Sequence, residues 1–273
     1  MKKGIWTLIL LIIIFSILCL LKQNNKEIIK ISKKELETNK FSYYNFYKKE
    51  NEDRYNNYKI KFPEISDKNI VLRVNIGLDH GFYTETKEIT KFNTLMLINK
   101  YNYVTENFIP DQLVLVDSHA KENMYLNIEC KNAFIKMAND ANALGYNIRA
   151  ISTYRTLDYQ EKLYNNYVKK DGIEIADTYS ARKGFSEHHT GLAIDIDNTI
   201  LSYNNFENTK EFNWMLNNSY KYGFILRYPK QYENITGYIY EPWHYRYVGI
   251  DIAKYIYDHN ITFEEYYYEF LDK

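Results

Sequence analysis

Two cysteines in 273 residues leave little room for thiol chemistry. Cys19 falls inside an apolar run near the N-terminus and Cys130 stands alone beyond it, so no intrachain disulfide can staple the rest of the chain. A single thiol cannot build a zinc–cysteine cluster either, and Cys130 reads as a buried or half-buried packing residue. Net charge is also missing, because 35 Lys and Arg balance 35 Asp and Glu. With no basic excess to neutralise phosphates, a nucleic-acid binder is not expected. Glycine and proline are scarce, at 10 and 4, against 29 tyrosines. An excess of Asn, Lys, Ile and Tyr reflects codon bias as much as function, so composition carries little of the argument. No internal repeat is apparent. The length suits one or two domains, and a hydrophobic fraction of 45% is ample for a packed core.

The N-terminus holds the one long apolar run. In "MKKGIWTLILLIIIFSILCLLKQNN", two lysines precede an apolar stretch from Gly4 to Leu21. At ~1.5 Å per residue such a helix covers about 27 Å, close to the ~30 Å of a bilayer's hydrocarbon core. No small-x-small cleavage site follows, which favours a retained anchor over a removed signal peptide. A lipoprotein reading of Cys19 is weaker, because bulky Leu18 stands where a small residue is needed. Lysines flank both ends (Lys2 and Lys3, then Lys22, Lys26 and Lys30), and the expected orientation is a short inside tail with the rest exported. The expected organisation is a tail at 1–3, a transmembrane anchor at 4–21, a stalk at 22–57 and a globular domain at 58–273, with its motifs from residue 93 onward. Packing of the stalk onto the domain is the alternative.

Within the domain, "IVLRVNIGL" (Ile70 to Leu78) alternates well enough for a strand. A helical face is predicted from Phe134, Met137, Ala138, Ala141 and Leu144, with Gly145 as the stop. "YNIRAIS" (Tyr146 to Ser152) reads as a strand, followed by a helix from about Leu157 with Thr156 as N-cap. "AIDI" is a short strand. Phe212, Met215, Leu216, Ser219 and Tyr220 recur at helical spacing up to Gly223. "WHYRYVG" (Trp243 to Gly249) alternates strictly, and Thr262 with Glu265 forms a capping-box pattern near the C-terminus. Short strands interspersed with helices predict an α+β fold with one small, mostly antiparallel sheet and flanking helices.

The chemistry gathers around "SEHHTGLAIDI". If Leu192 to Ile196 is a strand, Leu192, Ile194 and Ile196 face a core, while Ala193 and Asp195 face the other way, where a small residue beside an acid suits a site wall. Gly191 permits a tight turn that returns His188 towards Asp195. Taken alone, such a pair is more often a structural hydrogen bond than a metal site. "YEPWHYRYVG" adds His244, on the opposite face to Trp243, Tyr245 and Tyr247. Two histidines, one aspartate and an open position for water form the usual catalytic zinc arrangement. Glu241 stands close enough to reach such a water without ligating the metal. In "STYRTLDYQ", Arg155 offers a fork suited to a carboxylate or oxyanion, and Gln160 sits about one turn into the helix. In isolation both read better as surface residues. Trp243 is a core aromatic, a cleft wall, or both. His80 and His259 are not candidates, and His259 ends a helix, where a cation is favoured.

Together these elements resemble the VanY-type zinc D-alanyl-D-alanine carboxypeptidases of the M15 peptidases. The family pattern Ser-x-His, two residues, Gly-x-Ala-x-Asp, and later Glu-x-Trp-His reads here Ser186, His188, Gly191, Ala193, Asp195, Glu241, Trp243, His244. Upstream, Tyr154, Arg155 and Gln160 match Tyr-Arg-x-x-x-x-Gln. "LINKYNYVTENFIPDQLV", "GFILRYP" and "ITGYIYEPWHYRYVG" look similar too, so the likeness covers about Asn93 to the C-terminus. The resemblance implies a Hedgehog/DD-peptidase-like fold and one Zn²⁺ per chain on His188, Asp195 and His244. It implies Glu241 as general base and acid, and Arg155, Gln160 and Ser186 as holders of the substrate's terminal carboxylate or reacting carbonyl. Tyr238 and Trp243 would line the pocket. His189 stands where glutamine is common in the family, so it is not expected to ligate, though it is free to line the site. Lys183 stands where proline is frequent, which removes no reactive group.

The implied substrate is the D-Ala-D-Ala end of peptidoglycan stem peptides, met by an enzyme held at the cell membrane with its catalytic domain outside. Competing readings are an L,D-carboxypeptidase or stem-peptide endopeptidase of the same family, and a non-catalytic wall-binding module that keeps a metal site. Glu241 argues against the last, because a binding module has no need of a base beside the metal. Oligomeric state is not readable.

Overall fold

The computed structural model describes residues 19–26, 39–198 and 203–272. The chain divides into two units, residues 1–74 and 75–273. Of the first unit, residues 19–26 form a helix (α1), and most of the run expected as an anchor lies outside the described residues. No helix among the described residues is long and apolar enough to cross a membrane. The end of the expected stalk has structure of its own. Short 3-10 turns lead into helix α2 (Glu52–Lys61), with Phe41 and Tyr55 fully buried and their rings 5.5 Å apart.

"IVLRVNIGL" is not a strand. It lies in helix α3 (Asp67–Ile76), where the Ser66 hydroxyl accepts from the Asn69 N–H and Gly77, at φ +99°, ends the helix. Ile70, Val71 and Val74 are fully buried, an i, i+1, i+4 set that fits one helical face. β-branched residues raised the strand expectation, and the capping residue decided against it.

In the second unit, four strands make the central sheet: β5 (Arg149–Ser152), β6 (Ala193–Asp197), β7 (Phe224–Leu226) and β8 (His244–Tyr247). Their spatial order is β5-β6-β8-β7, every neighbour antiparallel. Two small pairs precede them: β1 (Lys87–Glu88) with β2 (Asn102–Tyr103), parallel, and β3 (Leu113–Leu115) with β4 (Tyr125–Asn127), antiparallel. The α+β expectation holds.

One face of the sheet is the core. Ile194 and Ile196 of β6, Tyr245 of β8 and Phe224 of β7 pack with helix α4 (Ile128–Ala143) and helix α7 (Lys210–Asn218). Phe134, Met137, Ala138 and Ala141 of α4 are fully buried as the periodicity predicts, and Cys130 joins them. Leu144 does not, because α4 ends one residue earlier and leaves it 67% exposed. Likewise Leu216 points outward, and Trp214 packs inward beside Phe212 and Met215. The opposite face carries Ala193 and Asp195 against Arg246 and His244, paired across β6 and β8. Alternation with period 2 thus separates core from site along the same two strands.

Candidate active site

Three local devices bring the motif residues together. Ser186 caps a 3-10 turn, Glu187–Thr190, by accepting from the His188 N–H at 3.3 Å. Gly191 then turns the chain at φ +72°, and a Cβ there would lie 3.1 Å from the Asn127 backbone nitrogen, so only glycine fits without strain. Strand β5 carries a bulge between Ala150 and Ser152, which sets Ser152 opposite Asp195. Arg155 follows, just before helix α5 (Leu157–Asp171), whose N-cap is Thr156 as expected.

His188, Asp195 and His244 are all buried, and one ligand atom from each lies within 4.8 Å of the others. The tautomer of His188 is set from behind: Nδ1 donates to the Thr153 carbonyl at 2.6 Å. That leaves Nε2 buried with no hydrogen-bond partner, 3.4 Å from Asp195 Oδ1. His244 faces the same oxygen with Nδ1, at 3.0 Å. A buried acceptor nitrogen without a donor is costly unless something else occupies it. Two imidazole nitrogens and a carboxylate oxygen converging in this way are the donor set zinc takes, so the residues present fit the ion.

Glu241 stands beside this set, with Oε2 3.7 Å from His244 Nδ1. Burial, reinforced by the Asp195 and Glu187 carboxylates and opposed by His244 and Arg155, pushes its pKa up to about 8. Burial alone would lower His244, but Asp195, Glu187 and Glu241 outweigh it and raise the pKa to about 9. His188 is pushed down to about 4 by burial and by the Arg155 cation. Burial would raise Asp195, yet the neighbouring imidazoles and Arg155 hold it well below the usual carboxylate range.

Arg155 does not present the open fork the sequence suggested. Nε and Nη2 donate to Ser152 Oγ at 3.0 and 2.8 Å, Nη2 also to Asp195 Oδ2 at 2.7 Å, and Nη1 to Gln160 Oε1 at 3.2 Å. Four of its five N–H groups are thereby engaged within the described residues, and one on Nη1 remains for a ligand. Gln160 is 1% exposed, and its amide nitrogen donates to the Ala181 carbonyl at 2.8 Å. Both ends of Gln160 are thus held by protein, and its carbonyl oxygen braces Arg155. His189 lies outside the cleft. Its Nδ1 donates to the Arg155 carbonyl at 2.8 Å and its Nε2 accepts from the Gly184 N–H at 3.3 Å, clamping the turn from behind.

The cleft has a volume of about 800 Å³, and Ser186, Tyr238 and Trp243 line it along with Tyr228. Tyr228 was not foreseen, although it sits in "GFILRYP"; its ring is 4.9 Å from that of His244.

Beneath the site lies a charge cluster that motif reading also missed. Glu187 Oε1 accepts from Arg227 Nε at 2.9 Å and Arg246 Nη1 at 2.8 Å, and Arg227 pairs two-pronged with Glu264 at 2.8 and 2.6 Å. All four side chains are buried. Burial would raise Glu187, but the two guanidinium groups hold it ionised, far below its ordinary range. Its Oε2 lies 3.6 Å from His244 Nε2. The available signals were Glu187 between two motif residues, and Arg246 sharing the site face with His244.

Comparison with known proteins agrees with this geometry. The family model described as VanY, D-alanyl-D-alanine carboxypeptidase, matches residues 123–250. The putative carboxypeptidase YodJ of Bacillus subtilis (strain 168) is 36% identical over 206 residues, covering 70% of this chain and 76% of that protein. The solved structure of the LdcB LD-carboxypeptidase superposes with a TM-score of 0.64 at 39% identity, covering 68% of this chain and 91% of that one. A vancomycin-resistance D,D-pentapeptidase VanY from a VanB-type cassette, solved with Zn(II), gives a TM-score of 0.56 at 33% identity, covering 63% and 98%.

Two outcomes are expected. Replacing Arg227 with Met strands the Glu264 carboxylate without a counter-charge and leaves Glu187 with Arg246 alone. Urea unfolding of R227M should show a loss of about 3–5 kcal/mol, the usual cost of breaking a buried ion pair from one side; a loss below about 1 kcal/mol would mean that water reaches the cluster. The second concerns pH. His244 and Glu241 bind protons more tightly in the folded zinc-free chain than when unfolded, at about 9 and about 8 against 6.5 and 4.5. Their stabilisation is complete below the unfolded values and is lost as pH rises through the folded ones. The zinc-free protein should therefore lose stability from about pH 6.5 up to about 9, while zinc affinity, measured by competition with a chelator, rises over the same window because a protonated His244 cannot ligate.

Proposed function

The chain belongs to the VanY family of D-alanyl-D-alanine carboxypeptidases, zinc-dependent hydrolases, and from that premise we propose that it removes the C-terminal D-alanine from peptidoglycan stem peptides ending in D-Ala-D-Ala. One observation carries the reading: His188 Nε2, Asp195 Oδ1 and His244 Nδ1 converge in a cleft, with Glu241 3.7 Å from His244.

His188, Asp195 and His244 would hold the zinc ion, which when bound would supply a Lewis acid for the water and the carbonyl. Glu241 takes the proton of the attacking water and returns it to the departing amine, so that hydroxyl ends on the carbonyl carbon and hydrogen on the released D-alanine. Arg155 offers its remaining N–H to the reacting carbonyl or the terminal carboxylate, kept on aim by Asp195, Ser152 and Gln160. Ser186, Tyr238 and Trp243 form walls that shape the dipeptide end. The likeness to the LdcB LD-carboxypeptidase favours a second reading, in which the substrate is a tetrapeptide. The anchor at residues 4–21 and a catalytic domain outside the cell membrane belong to the same proposal: the wall lies just beyond the membrane, and a tethered enzyme stays beside it.

Mass spectrometry of stem pentapeptide and tetrapeptide incubated with purified protein separates these readings. Loss of one alanine from the pentapeptide is expected, abolished by chelator; a product from the tetrapeptide alone establishes L,D activity, and internal cleavage an endopeptidase. Glu241→Gln should retain zinc and lower kcat by ~10²–10⁴-fold, and an equally active variant overturns the assignment of the base. The full-length chain should sediment with membranes and be released by deletion of residues 1–21; a full-length chain that stays in the soluble fraction rules the anchor out.

A further inference from the structure

The stretch "LINKYNYV", similar to the family yet without an evident task, contains Lys100, which is 1% exposed. Lysine is rarely buried to this degree without partners. Its Nζ donates to the backbone carbonyl of Asp177 in helix α6 (Ile173–Tyr179) and stands 4.2 Å from the ring centroid of Tyr238, with Tyr83 and Phe82 at 5.0 and 5.1 Å. Such a desolvated cation over aromatic faces is a strong contact. The lysine stem crosses Gly237 closely: a Cβ there would fall 2.6 Å from Lys100 Cδ and 2.7 Å from Cε. The backbone at 237 and the ring at 238 are both fitted around this one side chain.

From Tyr238 the contacts run to the metal-ligand set. Its ring is 4.8 Å from that of Tyr228, which in turn lies 4.9 Å from that of His244. The same loop is tied to α6 again where the Ile239 N–H donates to the Thr178 carbonyl at 2.9 Å. Tyr228, Tyr238 and Glu241 line the cleft and Lys100 does not.

We propose that Lys100 is a positioning residue for the reaction: its ammonium clamps the 236–241 loop to α6 through Tyr238, and so holds the Tyr238–Tyr228 wall and Glu241 against the metal ligands. The inference rests on the peptidase reading of the cleft. Substitution acts on geometry at the reacting centre and leaves the zinc ligands and Arg155 in place.

The test compares kcat, KM and zinc content of Lys100→Met, Tyr238→Leu and the double variant, made in the full chain and assayed on stem peptide. Lys100→Met should lower kcat at least about tenfold, towards the ~10²-fold that a 1 Å misplacement costs, with KM and zinc content unchanged. In the Tyr238→Leu background it should cost nothing further, because the clamp acts through that ring. A folded Lys100→Met with wild-type kcat, an equal extra loss in the Tyr238→Leu background, or a joint fall of kcat, zinc content and substrate affinity overturns the inference. If Lys100→Met yields no folded protein, Lys100→Gln, which keeps a donor towards Asp177, is judged by the same criteria. An inert wild-type chain overturns the peptidase reading and this inference with it, whereas an active wild type beside an unaffected Lys100 variant overturns this inference alone.

Discussion

Asp195 divides its carboxylate between two tasks, and the arrangement of the site follows from that division. Oδ1 faces the imidazoles of His188 and His244, while Oδ2 accepts from Arg155. A carboxylate can serve both sides only if it sits in the middle of a sheet, with a strand bearing partners on each flank. The order β5-β6-β8 supplies this: the β5 bulge sets Ser152 beside it and the β8 register sets His244 opposite. Slipping β8 by one residue would turn His244 into the core and bring Tyr245 to the site.

The buried charges on the site side of the sheet hold that register in place. Arg246 shares the site face of β8 with His244 and is held by Glu187 and by the Thr94 and Met96 carbonyls. Glu187 belongs to the turn that places His188. Two guanidinium groups and two carboxylates thus balance in a buried interior, and each of the two histidine-bearing segments contributes one member. Removing a partner leaves a charge that cannot reach water, so the cluster favours one alignment of turn and strand over its neighbours.

Much of this was legible in the chain. The period-2 alternation of "AIDI" and "WHYRYVG" separated core from site, and capping residues located the starts of α5 and of the short C-terminal helix Phe263–Tyr266. Motif spacing picked out His188, Asp195, His244 and Glu241. The helix at Ile70 to Ile76 was not legible from its β-branched residues, since local strand preference is a weak force beside a cap and a buried helical face. Nor was the state of Arg155, whose fork is largely occupied by Ser152, Asp195 and Gln160. Hydrogen-bond partners brought close only by folding leave no mark on residue spacing.

By itself, then, the sequence determined the chemical groups and the local backbone that carries them: a capped turn, a glycine in left-handed conformation, and two alternating strands. These depend on neighbours a few residues away, which periodicity and capping rules describe. Only the tertiary structure decided which atoms are used. The Thr153 carbonyl, 35 residues from His188, engages Nδ1 and leaves Nε2 turned towards Asp195. Glu187, Arg227, Arg246 and Glu264 meet across as many as 77 positions, as do Lys100 and Asp177. Such pairings arise when separate segments are packed out of water together, and their energies depend on burial that no single segment possesses before it folds.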